Sequence, residues 1–106
     1  MPTIRKRVAT TTTNALSTEK FRYIGGSGAV VNLWAAGVTN SDDIGLSINS
    51  RDLIVSGTDI NIESSADVID TDRDQVLYNE VVEPGELYLP VTVTTEMQFL
   101  LSIKPL

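Results

Sequence analysis

Neither cysteine nor histidine occurs in this 106-residue chain. The first absence excludes a disulfide framework and any thiolate metal centre. The second removes the usual general base at neutral pH and the commonest zinc ligand. Aromatic residues make up only 6%, with a single tryptophan, so each one can be weighed individually. The longest nearly uncharged apolar stretch, "AVVNLWAAGV" at 29–38, is far short of the roughly 20 residues that cross a bilayer as a helix, and no membrane partner is expected. The opening "MPTIRKRVATTTTNALS" has a basic cluster with no apolar run behind it, so it does not read as a secretory signal. A basic, threonine-rich, acid-free start is also the composition of an organellar transit peptide.

The length is one domain's worth, enough to bury about 60–70% of the unfolded surface in a single core. The formal net charge is −6 and is unevenly placed. Residues 1–17 carry Arg5, Lys6 and Arg7 without an acid, a balance of +3. The remaining five basic residues stand against all fourteen acids, a balance of −9. An acidic body repels phosphate backbones, which argues against nucleic acid as a partner. The basic start is left to meet a polyanion or an acidic protein face.

The dominant pattern is alternation. "DIGLSIN" (43–49) sets Ile44, Leu46 and Ile48 on one face, and "DINIE" (59–63) does the same with Ile60 and Ile62. "ELYLPVTVT" (86–94) aligns Leu87, Leu89, Val91 and Val93, and "MQFLLSI" (97–103) aligns Met97, Phe99, Leu101 and Ile103. Period two in four separate segments is the mark of half-buried strands, because successive side chains point to opposite faces. Turn residues punctuate these runs at "GGSG" (25–28), "TNSDD" (39–43), "NS" (49–50), "SGT" (56–58), "ESS" (63–65) and "EPG" (83–85). Pro84 and Gly85 in the last of these predict a type II turn with positive φ at the glycine. Pro90 lacks an N–H and belongs at an edge or a break.

The reading is an all-β fold, an antiparallel β-sandwich (jelly-roll-like or similar) of about eight short strands. The strands are expected at 19–24, 29–36, 43–48, 51–56, 58–63, 66–70, 75–82 and 86–103, the last broken near Thr94 and Thr95. The sandwich occupies residues 18–106. Residues 1–17, where "ATTTTNALST" offers threonines but no apolar face, are expected to form an extended N-terminal arm outside it.

Chemistry is sparse. "DVIDTDRDQ" (67–75) spaces Asp70, Asp72 and Asp74 two apart, as the first ligands of a helix–loop–helix calcium loop are spaced. Counting from Asp70, however, the glycine position holds Gln75, and the bidentate glutamate position holds Val81. The stretch therefore reads as a solvated acidic turn with Arg73 partly neutralising it, and no metal or other cofactor is assigned. "GGSG" precedes a strand pattern, not a helix, and lacks the Lys–Ser/Thr pair of a phosphate loop. Phe21 and Tyr23 share a face and Phe99 lies on an apolar one, so these three read as core. Trp34 and Tyr88 fall opposite Leu33 and Leu87, so they are expected at the surface, as interface residues before sugar-stacking ones. No "GxSxG" elbow is present, and short strands leave little loop for a cleft, so no enzyme is expected.

A short basic, threonine-rich arm, "MPTIRKRVATTTTNAL", leads into a compact acidic β-domain that closes on "VVEPGELYLPVTVTTEMQFLLSIKPL". In this layout the chain resembles the small head decoration, or cement, proteins of tailed bacteriophages. The resemblance covers the whole chain by layout and rests on no diagnostic motif. It implies a structural virion protein without a catalytic site, made in the host cytoplasm. Such proteins sit on the capsid surface, often as trimers, and stabilise contacts between major capsid subunits. A tail or fibre module has the same look, and a soluble ligand-binding β-sandwich for carbohydrate or calcium is the rival from another class. On this reading the partner is a major capsid protein or another large assembly subunit. The residues expected to meet it are Ile4, Arg5, Lys6, Arg7 and Val8 of the arm, together with Trp34 and Tyr88. Removal of residues 2–16 is then expected to leave a folded domain.

Overall fold

The run "MQFLLSIKP" buries Met97, Phe99, Leu101 and Ile103 and turns Leu100, Ser102 and Lys104 outward, as the pleat of a strand requires. A computed structural model describes residues 3–38, 42–62, 69 and 71–106, with only the backbone of Phe21. Ten strands are formed: β1 Thr3–Val8, β2 Tyr23–Ile24, β3 Ala29–Gly37, β4 Asp43–Ile48, β5 Arg51–Asp59, β6 Asn61–Ile62, β7 Gln75–Val82, β8 Gly85–Tyr88, β9 Val91–Thr92 and β10 Met97–Pro105. A short 3-10 turn, Lys20–Arg22, precedes β2.

The strands make two sheets packed as a sandwich. In the first, β10 lies between β1 and β3. The far side of β3 is shared by β7, along Ala29–Trp34, and by β6, at Ala36 and Gly37. In the second, the order is β2–β8–β4–β5, with β9 pairing the start of β4. The β-sandwich expected from alternation is therefore present, with one departure: β3 and β6 run parallel, so the first sheet is mixed and the second antiparallel. Phe99, Leu33, Leu101 and Val31 of the first sheet meet Ile44, Leu46, Ile48 and Leu87 of the second in one apolar cluster. Each such side chain contributes about 1.5–3 kcal/mol by leaving water.

The N-terminal segment corrects the expectation of a separate arm. β1 pairs with β10 through six consecutive residues, from Thr3↔Ser102 to Val8↔Met97. Ile4 and Val8 are buried in the common core, as are Ala15 and Leu16. Residues 12–15 then cross to the other sheet. Thr12 and Val91 exchange main-chain hydrogen bonds at 3.0 Å, and Ala15 N donates to Leu89 O at 2.7 Å. The Asn14 carboxamide oxygen accepts from Leu16 N and Leu89 N, at 3.0 and 3.1 Å. The threonines thus need no apolar face, because they line a sheet edge through main-chain and hydroxyl bonds. Lys6 shares the inward parity of Ile4 and Val8, and its stem reaches the rim. There its ammonium pairs with Glu19 at 3.3 Å and donates to Ala15 O at 3.2 Å, a snorkelling arrangement.

Two further differences have local causes. Gly85 does not adopt positive φ, so the type II turn is not made. What the position requires is room, because a Cβ there would lie 2.5 Å from Asn49 Oδ1. The Asn49 side chain passes there to donate to Pro84 O at 2.9 Å. Tyr23, expected in the core, is 59% exposed; the Arg22 guanidinium stacks 4.7 Å from its ring centroid. Pro90 sits in the break between β8 and β9, where its carbonyl accepts from Gly45 N at 2.9 Å. Of the strand expected at 66–70, only Ile69 lies within the described residues. The turn expected at 63–65, most of the one at 39–43, and the side chain of Phe21 lie outside them.

A buried carboxylate fastens one end of the sandwich. Asp42 is fully inaccessible, and it accepts from Val38 N at 3.0 Å and Thr94 N at 2.8 Å. Its own carbonyl accepts from Ile60 N, so three loops converge on one residue. Gly37 gives it space, since a Cβ at that position would stand 2.1 Å from Asp42 Oδ2.

Candidate functional site

The outward side of the first sheet gathers several accessible apolar side chains. β3 contributes Val30, Asn32 and Trp34, and β10 contributes Leu100, Ser102 and Lys104 through the pairs Leu100↔Trp34, Ser102↔Asn32 and Lys104↔Val30. β7 adds Tyr78 and Val81, 73% and 59% exposed. These two come to one face only because β7 changes parity. Leu77 and Val82 are both buried, which a regular strand forbids for positions of opposite parity. The change occurs at Asn79, whose φ of 46° marks an irregularity where the register with β3 also slips. Asparagine tolerates this left-handed conformation better than most residues.

An amide cluster holds the irregularity in place. Asn32 Oδ1 accepts from Gln75 Nε2 and from Asn79 N, both at 2.9 Å, and Asn32 Nδ2 donates to Asn79 Oδ1 at 3.1 Å. Trp34 is half-buried, and its indole N–H donates to Thr71 O at 2.7 Å, which fixes the 71–73 turn against the ring. The result is a shallow concavity of about 760 Å³ that includes Trp34, Tyr78 and Val81, open along the sheet.

Tyr88, the other aromatic expected at an interface, is 40% exposed but belongs to β8 of the second sheet. There it neighbours Ser47 and Asp52. Trp34 and Tyr88 therefore look away from each other across the sandwich and do not form one platform. The sequence reading missed Tyr78 as the companion of Trp34. The asparagine interrupting "QVLYNEVV" is the signal that could have found it.

The basic strand is divided by the pleat. Ile4 and Val8 point into the core and are not surface residues in this fold, which corrects their assignment as contact residues of an arm. Arg5 and Arg7 lie on the outward side, where Arg7 pairs with Glu96 at 2.7 Å. Arg5 is exposed, opposite Leu100. No ion pair joins it among the described residues.

Of the aspartates spaced two apart, Asp74 has a structural role. Asp70 lies outside the described residues. Asp72 is exposed. Asp74 is buried, accepting from Arg73 at 2.9 Å and Asn61 Nδ2 at 3.4 Å. Among the described residues, no group of three potential metal ligands converges. "GGSG" forms a turn with Gly26 and Gly28 at φ 63° and 98°. It borders a small cavity of about 130 Å³ between Lys20, Tyr23 and Ile103, below the roughly 300–1,000 Å³ of small-molecule sites. Comparison with protein-family models, with curated protein sequences and with solved structures finds no match for this chain.

Proposed function

We propose that this chain is a non-enzymatic structural protein of a virus particle. It decorates the outside of a capsid and stabilises contacts between major capsid subunits, working as a homo-oligomer, a trimer in the first instance. The observation that carries the reading is the outward face on which exposed Tyr78 and Val81 join half-buried Val30, Trp34 and Leu100 on a two-sheet body. Exposed apolar and aromatic side chains gathered on one face, here interleaved with the amides of Asn32 and Asn79, mark protein contact, and aromatic residues dominate the energetics of such contacts. The buried carboxylates Asp42 and Asp74 are committed to main-chain and side-chain donors, which fits a scaffold role. No cofactor, nucleic acid or membrane enters the proposal.

The test is density-gradient sedimentation of the native source material, with the chain located by mass spectrometry. Migration with a megadalton particle in near-stoichiometric ratio to an abundant larger protein is expected; retention in the small-protein fractions sinks the assembly reading. On reconstituted particles, Tyr78→Glu with Val81→Glu is expected to weaken attachment more than tenfold, a size typical of central aromatic contacts, whereas Tyr88→Glu on the other sheet leaves it intact. Recovery with tails or fibres instead of heads would assign the same face to a different virion part. Trp34 and Tyr78 lining one concavity beside the amides of Asn32 and Gln75 also favours a second reading, carbohydrate binding. It predicts quenching of the single tryptophan by millimolar sugar.

A further inference from the structure

A sandwich of two open sheets has unpaired strand edges, and exposed edges invite pairing with other chains. Here most of them are blocked by local chemistry. The β7 edge is interrupted at Asn79, and Arg51 reaches across from β5 to donate from Nη2 to Val81 O at 3.2 Å. The β5 edge carries two register slips against β4 and a left-handed Gly57 at φ 91°. There Thr58 Oγ1 folds back onto Val55 O at 2.6 Å. The outer edge of β8 and β9 is taken by β2 and by residues 12–15.

β1 is different. It pairs with β10 without a register slip and has no residue at positive φ. No second strand is paired with it among the described residues. What it does carry is charge of one sign on both of its faces, Arg5 and Arg7 outward and Lys6 inward. Two copies of β1 paired antiparallel about Lys6 would set Arg5 opposite Arg7 and Lys6 opposite Lys6. Like charges directly opposite each other destabilise a strand pair. The charge therefore disfavours a second copy of the same strand and favours a strand of opposite sign.

We propose that the outer edge of β1 is a docking site for an extended acidic segment of a partner protein, which adds to the first sheet as a further strand. Main-chain hydrogen bonds supply the affinity and alternate side chains supply the selectivity. Arg5 is the principal selector, because Lys6 and Arg7 already hold Glu19 and Glu96 on a solvated rim. The site adjoins the apolar face at the Arg5↔Leu100 pair but uses the strand edge and not the face, and each reading stands without the other.

The experiment is an NMR titration of the intact ¹⁵N-labelled chain with a capped eight-residue peptide alternating glutamate and valine, and with its lysine–valine counterpart. Expected is a response centred on β1 and its neighbour β10, with alternate β1 amides gaining at least tenfold protection from solvent exchange. The lysine peptide should leave them unchanged. Arg5→Glu, confirmed as folded from the same spectra, should weaken the glutamate peptide by about three- to tenfold, the scale of one or two cross-strand charge pairs. The proposal is overturned by absence of any response at millimolar peptide or by equal binding of both peptides. A response confined to Trp34, Tyr78 and Val81 also overturns it and points to the apolar face alone.

Discussion

Deleting residues 2–16 should abolish the fold, not free a compact domain of an ornament. The deletion removes Ile4, Val8 and Leu16 from the core, with relative exposures of 5%, 6% and 0%. At about 1.5–3 kcal/mol for each buried aliphatic side chain, the loss is roughly 5–9 kcal/mol. That is comparable with the ~5–15 kcal/mol that holds a whole domain together. The deletion also uncovers Met97, Phe99 and Leu101 along β10 and the Leu89–Val91 edge of the second sheet. The measurement is urea unfolding followed by circular dichroism and by tryptophan fluorescence, on the intact and the shortened chain. The shortened chain is expected to show no cooperative transition. A graded control separates packing from mere chain length: Leu16→Ala alone should lower stability by about 2–5 kcal/mol while preserving a two-state curve. If the shortened protein melts cooperatively within a few degrees of the intact one, the first 16 residues are dispensable and the integrated-strand account is wrong.

Asp42→Ala leaves the Val38 and Thr94 amides without their acceptor in a dry site and should cost about 2–4 kcal/mol, at roughly 1–3 kcal/mol for each unsatisfied group; calorimetry should register a fall of 10 °C or more. Gly28→Ala combines φ +98° with a Cβ 2.2 Å from Val82 O, so it should destabilise by more than the ~1 kcal/mol of an ordinary glycine replacement in reverse, read from the same melts. Glu96→Gln breaks an ion pair whose partners are about one-third exposed, and its effect should stay below about 1 kcal/mol and shrink further in salt. Millimolar Ca²⁺ should leave the melting temperature unchanged, since Asp74 is held by Arg73 and Asn61; a rise of several degrees would reopen the aspartate turn as a site.

Alternation made much of the sandwich readable. β4 and β10 follow from Ile44/Leu46/Ile48 and Met97/Phe99/Leu101/Ile103 because their inward positions are strongly apolar. β1 escaped because its inward row is Ile4, Lys6, Val8: a cation stands at the middle position, and only the fold reveals that its stem spans the rim to Glu19. The threonine stretch escaped for a related reason, since a segment held by main-chain and hydroxyl bonds leaves no hydrophobic period. The candidate surface was half legible. Trp34 was placed outward correctly, but Tyr78 and Val81 are of opposite parity and share a face only through the irregularity at Asn79. That Trp34 and Tyr88 lie on different sheets was not legible, because parity within each strand says nothing about which sheet the strand joins.

The partnership of β1 with β10 sets a schedule for the molecule's assembly. Thr3 waits for Ser102 and Val8 for Met97, contacts about as distant in sequence as this chain allows, and folding rates fall steeply as contacts become less local. During translation the Ile4–Val8 strand is made long before its partner, so the first sheet closes only after β10 has been made. Until then both β1 and β3 lack the neighbour that lies between them. Charge keeps an unpaired strand hydrated, so Arg5, Lys6 and Arg7 serve the nascent chain before Arg5 serves the proposed site on the finished one.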